Sequence, residues 1–182
     1  MVGSFAFLVL APGVVAGLLP ALISGWEGSA PLAVQIAGWV AVAAGVVALL
    51  GAFARFAIDG LGTPAPPAPT ECLVVSGVYR HVRNPMYLAV VAIILGQAAI
   101  FASLALVLYA AIVLACFIVF VRRYEQPTLR RRYGADYDSY CEAVPGWLPQ
   151  LRPWDEGGEE PALNRTGRGP GTGSGRAGPP TR

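Results

Sequence analysis

Two arginines, the chain's only histidine and a helix-start signal come together in Gly77-Val-Tyr-Arg-His-Val-Arg-Asn-Pro-Met-Tyr87, directly against a long apolar run. Asn84 and Pro85 suit the N-cap and the first helical position, because asparagine accepts from the orphan amides of a first turn and proline has no amide to leave unpaired. A helix starting there presents its positive end and free N–H groups, and Arg80 and Arg83 add charge, so the stretch suits a carboxylate or a phosphate. A second polar group, Tyr124-Glu-Gln126, follows the apolar run. If that run folds back on itself, Arg83 and Tyr87 lie beside Glu125. A cation and a carboxylate at one mouth can hold a zwitterion, Arg83 or the helix N-terminus taking its carboxylate and Glu125 its ammonium or sulfonium. Tyr79, Tyr87 and Tyr124 could then face a cation or stack on a base. The plain alternative is an interfacial Arg–Glu ion pair within a tyrosine belt, the arginines marking only the cytoplasmic side.

Positioning these groups falls to an unusually apolar chain. Of its 182 residues, 55% are hydrophobic and 13% charged, with a mean hydropathy of +0.55, whereas soluble domains carry about 25% charged residues. The composition is that of an integral membrane protein. All 13 basic residues are arginine, the net charge is only +2, and no continuous basic face is available for nucleic acid. Cys72, Cys116 and Cys141 form no CxxC pair, so neither a disulfide framework nor a metal site is expected, and no P-loop is present.

The first apolar run, Phe5 to Ile23, holds Pro12 and Pro20 and has no basic residue before it. It reads as a retained membrane helix bent near Pro12 rather than a cleavable signal. Trp26 suits the interface and Glu27 the outside. A second run, Leu32 to about Ile58, is long enough to span, and Gly38, Ala41, Ala44, Gly45 and Ala48 would let another helix approach closely. The proline-rich segment from Asp59 to Thr70 is expected to be an extended spacer.

Leu88 to Val121 is 34 residues without a charge. As one helix it would reach about 51 Å against a hydrocarbon core of about 30 Å, so two helices are expected, turning near Ile100 to Ser103 or at Gly96-Gln97. The hairpin puts Arg80, Arg83, Arg122 and Arg123 on one side. The expected fold is therefore all-α: a multi-pass membrane protein of about four spans, with both termini cytoplasmic, the plasma membrane as its location, and a cytosolic amphipathic segment at the C-terminal end. In that segment Tyr133, Tyr137 and Tyr140 recur at helical spacing to give an aromatic face, Gly134 interrupts, and Val144-Pro-Gly-Trp-Leu-Pro149 reads as a membrane-surface anchor. Residues 1–151 form the membrane-embedded domain, and 152–182 a Gly/Pro/Arg-rich tail too polar to order itself.

The Gly77–Tyr87 stretch, the hydrophobic hairpin, Tyr124-Glu-Gln-Pro-Thr-Leu129 and Arg132-Tyr-Gly-Ala-Asp-Tyr-Asp-Ser-Tyr140 together resemble the isoprenylcysteine carboxyl methyltransferases and the related phospholipid N-methyltransferases. The resemblance covers roughly Leu73 to Pro149. It implies an integral-membrane methyltransferase using S-adenosylmethionine, held at the cytosolic helix ends, with a lipophilic acceptor arriving from the bilayer and no metal. By motif position, Tyr79, Arg83, Asn84, Pro85, Tyr87, Glu125 and Gln126 would line the cofactor site, with Arg83 and Glu125 central to catalysis. Asn84 replaces a histidine and Gln126 a second glutamate that many relatives carry, and Gln126 removes a negative charge from the cofactor's surroundings. Trp39, Phe53, Phe56, Phe101 and Phe117 are candidates for an acceptor lining. The competing readings are a sterol-reductase-like enzyme using a nicotinamide dinucleotide, and a non-catalytic membrane subunit that keeps the scaffold.

Overall fold

The computed structural model of the chain describes residues 12–25, 28–59, 73 and 75–154, without the side chains of 56–59. The expectations for Trp26, Glu27, Cys72, the Phe56 side chain, a bend at the start of the first run, most of the proline-rich spacer and the tail beyond 154 lie outside these residues. The described residues are helical or irregular, with no strand among them. A π-helical turn, Val14–Leu18, runs into α1, Leu19–Ser24. Then come α2, Leu32–Asp59, a 3-10 turn over Gly77–Arg80, α3, Pro85–Ile100, and α4, Leu104–Phe120. A second π turn, Val121–Glu125, leads into α5, Gln126–Tyr133, and α6, Ala135–Ala143, closes the helical part.

The 34-residue apolar run does fold in two. The hydroxyl of Ser103 accepts from the Leu106 amide and caps α4, so the turn occupies Phe101 to Ser103. Gln97, the other turn candidate, lies inside α3 and has a different task. Pro20 withholds the amide that would reach the Ala16 carbonyl four residues back, and Gln97 Nε2 donates to that carbonyl at 2.7 Å. Tyr109 likewise donates to the Val15 carbonyl at 2.9 Å. Two polar side chains thus close the backbone groups exposed around the π turn, as an apolar surrounding demands. Gln97→Leu keeps the bulk but orphans the buried Ala16 carbonyl. It is expected to cost about 1–3 kcal/mol, read as a lowered thermal unfolding temperature in detergent.

α3 is the central element, with Ala89, Val90, Val91, Ile93, Ile94, Gly96, Ala98 and Ile100 buried. Its most extensive partner is α2, and glycines set how near the two helices come. A Cβ on Gly38 would meet the Gly96 carbonyl oxygen at 2.7 Å, and one on Gly96 would meet the Gly38 oxygen at 2.7 Å. One on Gly45 would reach Ile93 Cγ1 at 2.7 Å. The small-residue spacing of α2 therefore marks a helix contact. Its other faces expose Leu32, Ile36, Trp39, Val40, Val47 and Leu50, and α4 exposes Leu104, Leu108, Ile112 and Val119. Trp39 accordingly lies on an exposed face of α2.

Two helices, Leu32–Arg55 and Leu104–Tyr133, are long and apolar enough to cross a membrane. Pro85–Ile100 and Val14–Ser24 are shorter. With 16 residues, α3 extends about 24 Å at 1.5 Å per residue.

Candidate functional site

At one end of the α3–α4 hairpin the 3-10 turn, the start of α3, the second π turn and helices α5 and α6 enclose a cavity of about 60 Å³. Tyr79, Arg83, Asn84, Glu125 and Gln126 all line it, together with Tyr133, Tyr137 and Tyr140. The hairpin therefore brings the two polar stretches together. Of the residues expected at the site, Pro85 and Tyr87 are not in the lining. Pro85 is buried at the first position of α3. Tyr87 lies one turn further and donates its hydroxyl to Glu125 Oε2 at 2.8 Å, its ring packed at 4.7 Å from Phe117 and 6.4 Å from Trp147. Tyr124 turns outward, half exposed and stacked on Phe120.

Glu125 owes its direction to a local irregularity. The Gln126 amide reaches back five residues to the Val121 carbonyl, and Pro127 next to it has no amide at all. The extra residue of a π turn rotates whatever follows on the helix, and such turns recur at functional sites. Thr128 Oγ1 donates to the Tyr124 carbonyl at 2.7 Å and holds the turn closed. The first π turn stands in the same relation to Leu19-Pro20.

Arg83 is gripped from behind. Its backbone amide donates to the Pro145 carbonyl at 3.0 Å and its Nη1 to Cys141 Sγ. Its Nε is buried and has no partner among the described residues. Asn84 departs from the expectation of a capping side chain: it makes no cap bond, and its Nδ2 donates instead to the Gly146 carbonyl at 2.9 Å. The reason is the segment after α6. Val144 to Gln150 folds over residues 81–84 as a strap, with the Gln150 amide on the His81 carbonyl at 3.0 Å and Val144 fully buried. The stretch read as a surface anchor also clamps the backbone of residues 81–84, and its Leu148 and the following Leu151 stay exposed.

The aromatic spacing of the C-terminal segment becomes the cavity wall. Gly134, at φ +54°, ends α5 and lets α6 turn back. Tyr137 and Tyr140 are buried, while Arg131 and Arg132 face outward and Arg130 pairs with Asp138 at 2.8 Å. Tyr140 donates to the Tyr79 carbonyl at 2.7 Å. Burial, reinforced by Tyr140 and Glu125, pushes the Tyr79 phenol well above its ordinary value, and burial does the same to Tyr137 and Tyr140. All three therefore stay neutral at physiological pH, and their rings stand beside one guanidinium and one carboxylate.

Fold and site define a class first: an all-helical protein with membrane-length apolar helices that close a tyrosine-lined polar cavity at a helix mouth. Residues 33–136, over half of the chain, match the phospholipid methyltransferase family, and the chain belongs to that family. The matched region contains α2 from its second residue, all of α3 and α4 and both Arg83 and Glu125, and it stops short of Tyr137, Tyr140 and the strap. No curated protein matches the chain. Membership places the chain in a methyltransferase class whose substrates are lipid-like.

Proposed function

We propose that the protein is a multi-pass membrane methyltransferase that uses S-adenosylmethionine and acts on a lipophilic acceptor, isoprenoid-like or phospholipid-like, reached from the bilayer. The observation that carries this reading is the buried, unpartnered Nε of Arg83 in the same cavity as Glu125. A buried donor without an acceptor is costly, and a ligand carboxylate is the group that would relieve it. S-adenosylmethionine carries a carboxylate at one end and cationic ammonium and sulfonium groups nearby, so the donor set fits.

When bound, the cofactor supplies a methyl group already activated by its sulfonium. The chain's residues have the remaining work. Arg83 binds the carboxylate, and Glu125 faces the cationic part with its Oε2 steadied by the Tyr87 hydroxyl. Tyr79, Tyr133, Tyr137 and Tyr140 supply electron-rich faces to a cation or an adenine ring and exclude water. Asn84 and Gln126 line the wall as neutral hydrogen-bonding groups. A cofactor pocket spans about 300–1,000 Å³, so binding requires the tyrosine wall to open. A carboxylate or thiolate acceptor needs no base, whereas an amine or hydroxyl must lose a proton, for which Glu125 is placed.

The topology proposed with this function has four spans, with α3 a short and buried one. The Arg83–Glu125 mouth and the strap lie in the cytosol, and the plasma membrane is the setting. The direct test incubates membranes carrying the chain with methyl-labelled S-adenosylmethionine and partitions the products. Label in the lipid extract that depends on the chain is the expected result. No transfer to lipid, small molecule or protein would contradict the proposal.

A further inference from the structure

A second concavity, of about 470 Å³, opens beside the first and is lined by Gly51, Arg55, Gly77, Val78, Arg80, His81 and Pro153. Neighbouring residues of one turn divide the two spaces, Tyr79 lining the cavity and Val78 and Arg80 the cleft. Three of the described residues lining the cleft are arginine or histidine, and no acidic residue is among those described. Each basic group is held in place. Gly77, at φ +58°, lets the Arg55 side chain lie across the turn, its Nε only 3.1 Å from where a Cβ would stand. Arg80 Nε donates to the Trp154 carbonyl at 2.6 Å. His81 Nδ1 lies 2.8 Å from the Gln150 carbonyl, which can only accept, so Nδ1 carries the proton. Arg55 is the first charged residue of α2 and lies 23 residues beyond Leu32, about 35 Å at 1.5 Å per residue against a hydrocarbon core of about 30 Å, so a helix that spans from Leu32 reaches headgroup depth at the cleft.

We infer that this cleft is a binding site for the phosphate of a membrane lipid, separate from the methyl-transfer cavity. Guanidinium groups match phosphate oxygens in geometry as well as charge, and a pre-positioned pair loses little side-chain freedom on binding. At headgroup depth, lipid phosphate is the abundant anion of that shape. An apolar α2 face runs away from the cleft toward the bilayer through Val47 and Leu50, both exposed, as a lipid held by its phosphate requires for its chains.

The test is native mass spectrometry of the full chain released from a neutral detergent. The probes are dioctanoyl-phosphatidylglycerol, the phosphate-free dioctanoylglycerol, and inorganic phosphate. The parent is expected to retain the phosphatidylglycerol and not the dioctanoylglycerol. Arg55→Gln and Arg80→Gln should each weaken retention about tenfold, the loss of one charged hydrogen-bonding group, while Arg130→Gln on α5 should leave it unchanged. If either glutamine variant fails to fold, Arg55→Lys and Arg80→Lys keep the charge without the fork and are expected to weaken retention more modestly. Retention unaffected by any of these changes, or equal retention of the phosphate-free lipid, overturns the site. Displacement of the bound lipid by an equal concentration of inorganic phosphate overturns its assignment to a lipid.

Discussion

Gly96→Ala is expected to destabilise the protein by about 2–3 kcal/mol, although alanine is the better helix former by about 1 kcal/mol. The sign follows from distances. The new methyl would sit 2.7 Å from the Gly38 carbonyl oxygen, 2.7 Å from Val42 Cγ2 and 3.0 Å from the Val42 amide. Two of the three are backbone, so relief requires α2 and α3 to separate, and theirs is the most extensive helix contact in the molecule. Gly51→Ala supplies the contrast, because a Cβ there meets nothing within 4 Å. It should therefore be neutral or stabilising by up to about 1 kcal/mol. Thermal unfolding of the two variants in one detergent checks both signs, and equal midpoints would show that the glycines do not set the helix separation.

The second large effect is expected at Glu125. Glu125→Gln keeps the shape and a hydrogen-bonding group but removes the only carboxylate lining the cavity among the described residues. A hydrogen bond to a charged group contributes about 1.5–3 kcal/mol, so affinity for the cationic cofactor should fall roughly 10- to 150-fold. Gln126→Glu, which adds a carboxylate to the same lining, should raise affinity. A KM for S-adenosylmethionine in the label-transfer assay that rises for the first variant and falls for the second is the predicted pattern. Unchanged values for both would show that carboxylate charge at this mouth plays no part in holding the cofactor.

Much of the frame was legible in the residues. Absence of charge from Leu88 to Val121 forced a hairpin, since no single span could be that long, and the hairpin then placed Arg83 and Glu125 at one mouth. Helix α2 begins at Leu32 and ends at Asp59, where its apolar run stops. The details that escaped are those in which a side chain answers a distant backbone group. Nothing local to Gln97 announces that Pro20 has stripped a carbonyl of its donor. Asn84 has the chemistry of a cap, yet the strap offers it the Gly146 carbonyl. Tyr87 looked like part of the cavity wall because it shares a motif with Arg83. One helical turn between them moves it to the far side of Glu125, among Phe117 and Trp147. A signal for the π turn was present in Gln126-Pro127, because a proline that cannot donate invites such a rearrangement in the turn before it. A Leu19-Pro20 pair following the other π turn shows the same relation.

The central claim is that Arg83 and Glu125 form the two charged ends of one cofactor site. Isothermal titration of S-adenosylmethionine into the detergent-solubilised full chain, beside Arg83→Ala and Glu125→Ala variants shown to be folded by their unfolding midpoints, tests it most directly. Saturable one-to-one binding by the parent, weakened roughly tenfold or more by each substitution, is the predicted result. Binding by both folded variants as tight as by the parent would contradict it.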